Sequence, residues 1–161
     1  MTTIVWAPGD LVVANSEGVD VRLAGVEITA DIPHHLGRPA GERGIRVHVA
    51  GVTSPLTMDL DNRHLQEVEA WAEERKRVGP ENVHQFPVMP GVAVLSAVNA
   101  VITDNHDTDY RWVGGQLAGT GSEWDGSWAF VPEPPAGVKH LSIEFTVDGV
   151  PTGKSVRVQL G

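Results

Sequence analysis

The sequence predicts an all-β chain: an antiparallel β-sandwich of seven or eight strands with one inserted α-helix at about residues 60–78. Three observations carry this expectation. Eighteen glycines and eleven prolines punctuate short apolar segments, the pattern of many strands joined by turns. Several of those segments alternate apolar and polar residues with period two. A single stretch has helical spacing, which leaves no set of crossover helices for a parallel sheet. A closed barrel is the competing architecture.

Taken in order, Val19, Val21 and Leu23 alternate with Asp20 and Arg22, as a half-buried strand does. After Ala24-Gly25 the phase flips to Val26, Ile28 and Ala30, which points to a bulge or kink at the glycine. Residues 31–43 contain Pro33, Gly37, Pro39 and Gly41 and read as an irregular loop. Ile45, Val47 and Val49 alternate with Arg46 and His48 in a second strand. Leu60, Leu65, Val68, Trp71, Ala72 and Val78 then trace one face of a helix. Asp59 or Asp61 is the expected cap, Arg75, Lys76 and Arg77 complement the dipole, and Gly79-Pro80 ends it. Its expected place is over an open edge or end of a sheet.

From Val92 to Thr103 nearly every residue is apolar or small, which predicts a central strand buried on both faces. Residues 104–109 read as a turn, with Tyr110 to Val113 as the returning strand. Trp124, Gly126, Trp128 and Phe130 share one face of the next strand. Leu141, Ile143, Phe145 and Val147 alternate with His140, Ser142, Glu144 and Thr146. Asp148-Gly149 turns the chain into a last strand with Val156, Val158 and Leu160.

At 161 residues the chain has the size of one domain with a core of its own. Twelve Lys and Arg against twenty-one Asp and Glu leave a net charge of −9. That acidity disfavours nucleic acid and anionic lipid as partners. The absence of cysteine excludes disulfides, thiol catalysis and cysteine-ligated metals. The opening run Met1-Thr-Thr-Ile-Val-Trp-Ala-Pro8 lacks a basic region and a long apolar region, so the sequence reads as cytoplasmic and not membrane-bound. An exported origin stays open if the chain is a fragment.

Asp104-Asn105-His106-Asp107-Thr108-Asp109-Tyr110 has the form of a D-D-x-G-T-x-Y turn, with Asp107 at the glycine position. A glycine-rich loop follows, and then Gly121-Ser122-Glu123-Trp124-Asp125-Gly126-Ser127-Trp128, running on to Pro132-Glu133-Pro134-Pro135. This order, over about residues 92–160, resembles immunoglobulin-like β-sandwich domains of uncharacterised bacterial, largely actinobacterial, proteins. The resemblance implies an immunoglobulin-like sandwich and a non-enzymatic role. It carries no catalytic residue and names no ligand.

Within that region Asp104, Asn105, Asp107 and Asp109 are the candidate ligands for a hard cation, with calcium the candidate metal and Asp125 or Glu123 as partners from another loop. The run is not an EF-hand, because positions six and twelve from Asn105 hold Tyr110 and Gln116. Turn chemistry alone also accounts for it, since Asp and Asn bond their own backbone. Trp112, Tyr110 and Glu123 are the candidate binding residues. Core burial is the expectation for all three tryptophans of this region, Trp124 and Trp128 by their shared face; Trp112, beside Tyr110 and the acidic turn, is the one for which exposure is the competing reading.

The seven histidines show neither H-x-H nor H-E-x-x-H spacing and read as surface imidazoles. No G-x-S-x-G occurs, and Gly114-Gly115-Gln-Leu-Ala-Gly119 precedes no predicted helix that would receive a phosphate. The functional expectation is a non-catalytic binding module with a protein partner or a second copy of itself. The rivals are a small metal-dependent enzyme using His34 or His35 with loop carboxylates, and a calcium-stabilised carbohydrate-binding module.

Overall fold

A computed structural model of the chain describes residues 11–32, 42–118 and 124–160, together with the backbone of Thr3–Trp6. The described chain is mostly strand, in two antiparallel sheets that share one core. The larger sheet holds β1 (Thr3–Trp6), β2 (Val12–Ser16), β3 (Val19–Thr29), β4 (Gly44–Gly51), β6 (Arg111–Ala118) and β7 (Trp124–Val131). Its order is β1-β3-β4-β7-β6, with β2 paired to β3 beside β1. The smaller sheet is β5 (Val98–Thr103), β8 (His140–Val147) and β9 (Val150–Gln159), in the order β5-β8-β9. Two helices, α1 (Pro55–Val78) and α2 (Pro90–Leu95), lie between β4 and β5 in the chain.

Two tight hairpins follow from local chemistry. Glu17-Gly18 joins β2 to β3, and Asp148-Gly149 joins β8 to β9. All four residues have positive φ, from 51° to 85°, the combination a type I′ turn requires and glycine accepts at least cost. The phase flip foreseen at Gly25 is a bulge, with the β3–β4 register shifting between Leu23 and Gly25. It keeps Val21, Leu23 and Val26 buried although they are not evenly spaced.

The core draws on both sheets. Val21, Val47, Trp128 and Phe130 of the larger sheet join one cluster with Val98, Ile143 and Phe145 of the smaller. This is the arrangement of a sandwich, where inner faces interdigitate and outer faces carry the alternate residues. Trp124 and Trp128 are buried, as their shared face predicts. The Thr152 hydroxyl donates to the Val13 carbonyl at 2.9 Å and ties β9 to β2 across the layers.

Four expectations are corrected. First, the described strands number nine, because β1 and β2 precede the first alternation read from the sequence. Second, the helix starts at Pro55 instead of near 60, and Ser54 caps it in place of Asp59 or Asp61. The Ser54 side chain accepts from the Thr57 amide, and Thr57 Oγ1 accepts from the Ser54 amide, a reciprocal capping box with Pro at N1.

Third, Val92–Thr103 is not one central strand. Pro90-Gly91 starts the short helix α2, and β5 is an edge strand that buries Val98, Ala100 and Ile102 while exposing Asn99, Val101 and Thr103. The strand buried on both faces is β7, where all but Asp125 are buried. Fourth, residues 104–110 do not close a hairpin. Strand β6 pairs with β7, so the turn carries the chain from one sheet to the other.

The helix α1 covers one end of the sandwich with its first turns alone. Leu60 packs on the core, Thr57 and His64 are buried, and Asp61 Oδ1 accepts from Trp124 Nε1 at 3.0 Å. Further along, Trp71 Nε1 donates to the His84 carbonyl and its ring meets Phe86 edge-on at 5.1 Å. The second half of the helix thus leans on its own return segment.

Candidate functional site

Residues on the outer face of the larger sheet come together through register. Glu27 on β3 is opposite Arg46 on β4, and His48 on β4 is opposite Ser127 on β7, which in turn is opposite Gln116 on β6. Arg22, Ala50, Asp125 and Ala118 form the next row along the same face. The alanines rise little above the sheet, and the larger polar side chains stand around them. The result is a cavity of about 850 Å³ whose lining includes Arg22, Glu27, Arg46, His48, Asp125 and Ser127. On the same strand β7, Ala129 and Val131 form a second apolar cluster with Ile32, against which Val113 packs.

Arg46 is the centre of this face. Its side chain is 6% exposed, on a sheet surface where a charged residue ordinarily reaches water. Nη1 donates to Ser127 Oγ at 2.8 Å and Nη2 to the Asp31 carbonyl at 2.7 Å. The nearest carboxylate oxygen among the described residues, Asp31 Oδ2, is 4.0 Å away on a side chain that is 90% exposed. Nε is buried with no partner among the described residues. Beside Arg46, His48 Nε2 lies 3.1 Å from Glu27 Oε2, which orients the imidazole.

The predicted site residues lie elsewhere. Asp104 organises the acidic turn: Oδ1 accepts from the amides of His106 and Thr108, and Oδ2 accepts from the Tyr110 hydroxyl at 2.6 Å. Desolvation would raise the Asp104 pKa, but these bonds, with one from the Thr108 side chain, hold it well below the usual carboxylate range. Desolvation, and then the bond to Asp104, push the Tyr110 phenol well above its usual value.

Asp107 has φ 55°, the left-handed conformation that glycine adopts most readily, at the position the D-D-x-G-T-x-Y pattern gives to glycine. Asn105 and Asp109 are exposed. Among the described residues no group of three His, Asp or Glu side chains is arranged to hold a metal ion. The pairing of Asp125 with the turn is corrected. Asp125 is opposite Ala118, while the turn enters β6 at Arg111. Asp104 and Asn105 instead border a smaller cavity of about 300 Å³ with Thr103, His140, Ser142 and Arg157.

Tyr110 is half-buried against the core, whereas the expected core burial of Trp112 is corrected: the residue, on a strand at the edge of the larger sheet, is 55% exposed. Glu123, His34 and His35 lie outside the described residues. The reading of the histidines as surface imidazoles is corrected for His64, which is buried with Nδ1 unpartnered.

Sequence reasoning missed Glu27, Arg46, His48 and Ser127 as a group. The available signal was the polar half of the β4 alternation, Arg46 and His48 between Ile45, Val47 and Val49. Alternation alone assigns such residues to solvent. No described helix is long and apolar enough to cross a membrane. Compared with protein-family models, curated proteins and solved structures, the chain matches none.

Proposed function

We propose that this protein is a non-catalytic binding module that takes a small polar ligand on the outer face of its larger sheet. The observation that carries the reading is the cavity of about 850 Å³, lined by charged and hydrogen-bonding groups from β3, β4, β6 and β7. Ligand sites combine a concave surface with a few fixed polar groups. Here Arg46 is fixed by Ser127 and Asp31, and His48 by Glu27. Strands hold such groups more rigidly than loops do. The proposed architecture is an immunoglobulin-like sandwich. The left-handed Asp107 and the Asp104–Tyr110 bond support that likeness at the turn.

Amide NMR spectra recorded with a panel of small polar metabolites test the function. The expected result is saturable shifts at Glu27, His48, Gln116 and Ser127. Shifts confined to other surfaces, or steady turnover of a panel member, would overturn the reading.

A second reading has its own support. Leu65 (60% exposed), Phe86 (52%) and Val88 (67%) leave apolar surface on α1 and its return segment, which favours a protein partner there. Leu65→Glu would abolish capture of that partner and leave ligand shifts on the sheet face intact.

A further inference from the structure

The charge balance of the same cavity defines the chemistry of its occupant. Arg46 is almost wholly buried, yet its two described bonds go to neutral acceptors, a hydroxyl and a peptide carbonyl. A guanidinium has five N–H donors, so most of its capacity is unspent among the described residues. An ion taken out of water carries a desolvation penalty, which a counter-charge offsets.

No described carboxylate fills that role at close range. Glu27 is opposite Arg46 in register, but its Oε2 is bound to His48. The Asp31 carboxylate is 4.0 Å away and turned to solvent. Asp125 sits in the row of Arg22, beyond Ser127 and His48.

We infer that the cavity is an anion site, in which the carboxylate of a small organic acid seats against Arg46 with His48 beside it. The inference rests on the reading of this face as the ligand-binding surface. A planar carboxylate suits the planar donor set of a guanidinium. A single negative charge also suits the surroundings. Glu27, Asp31 and Asp125 line the same cavity with Arg22 and Arg46, so repulsion from the carboxylates grows with the charge of a bound anion and disfavours a dianion more than a monoanion.

The test is NMR of protein labelled with ¹⁵N in arginine and in the backbone. Sodium acetate, lactate and gluconate are the carboxylate probes. Sodium chloride at matched ionic strength, inorganic phosphate and glucose are the controls. The expected result is a saturable shift of the Arg46 Nε–Hε signal with at least one carboxylate and none with chloride. Binding weakens about tenfold or more in Arg46→Lys, the equivalent of ~1.4 kcal/mol.

If Arg46→Lys does not fold, the wild-type signal decides alone. An Arg46 signal unmoved by all three carboxylates overturns the inference. So does a response to phosphate alone, which would make the ligand a phosphoryl compound. Glucose shifting the cavity amides while carboxylates do not would overturn the anion inference and leave the binding reading standing. No probe moving any cavity amide would overturn both.

Discussion

The outer faces of the two sheets obey different rules. On β8, the centre of the smaller sheet, Leu141, Ile143 and Phe145 point to the core while Ser142 and Glu144 are exposed. On β7 of the larger sheet, Trp124, Trp128 and Phe130 occupy the core side, yet Ser127, Ala129 and Val131 are buried on the other side as well. Both strands lie between two neighbours, so central position does not cause the difference. What differs is the cover: Ile32 lies against Ala129 and Val131, and Arg46 fills the space above Ser127. A sheet face becomes a candidate site where the rest of the chain encloses it, and stays ordinary surface where it does not.

The inner faces should respond most strongly to substitution. Phe145→Ala empties a fully buried position and should cost about 3–5 kcal/mol in urea unfolding. The next effect tests the comparison directly. Ser127→Ala removes the acceptor of Arg46 Nη1 at a buried site and should cost ~1.5–3 kcal/mol. If it is neutral, the outer face of β7 is no more closed than that of β8.

A smaller loss, about 1 kcal/mol, is expected for Asp61→Ala, which leaves Trp124 Nε1 without its acceptor. Faster amide hydrogen exchange in α1 would show that this bond docks the helix.

Asp104→Asn should have a modest effect at neutral pH, recognisable by its pH dependence. The folded-state pKa of Asp104 is depressed, so its stabilisation is present above the ordinary value of 3.8 and is lost as pH falls below it. Melting curves of the two proteins should therefore differ at pH 7 and converge in acid. Tyr110 has the opposite sign. Its raised pKa gives stability that is present below 10.0 and lost as pH rises above that value. The smallest effect belongs to the open face: Ser142→Ala should change stability by less than about 0.5 kcal/mol.

Much of the fold was legible because it is written in local pattern. The alternation through Ile45, Val47 and Val49 and through Leu141, Ile143 and Phe145 marks strands whatever their neighbours. The bulge at Gly25 was visible as a phase change, and the shared face of Trp124 and Trp128 as core. The Val92–Thr103 run misled for a physical reason. Continuous apolar sequence is common to buried strands and short buried helices, and Pro90-Gly91 decided for helix at its start.

The candidate site was far less legible. The acidic turn stood out because its carboxylates are adjacent in sequence, but Asp104 spends both oxygens on the turn itself. The cavity residues come from strands far apart in the chain, and each alone reads as the polar side of an alternation.

By itself, then, the sequence determined the periods, the Asp148-Gly149 hairpin turn, the bulge and most of the inner faces, because these depend on residues within a few positions of one another. Strand order, the passage of residues 104–110 between sheets, and the meeting of Glu27, Arg46, His48 and Ser127 were decided by tertiary structure. Those features depend on which strand pairs with which, and pairing is set by the joint burial of inner faces across the whole domain.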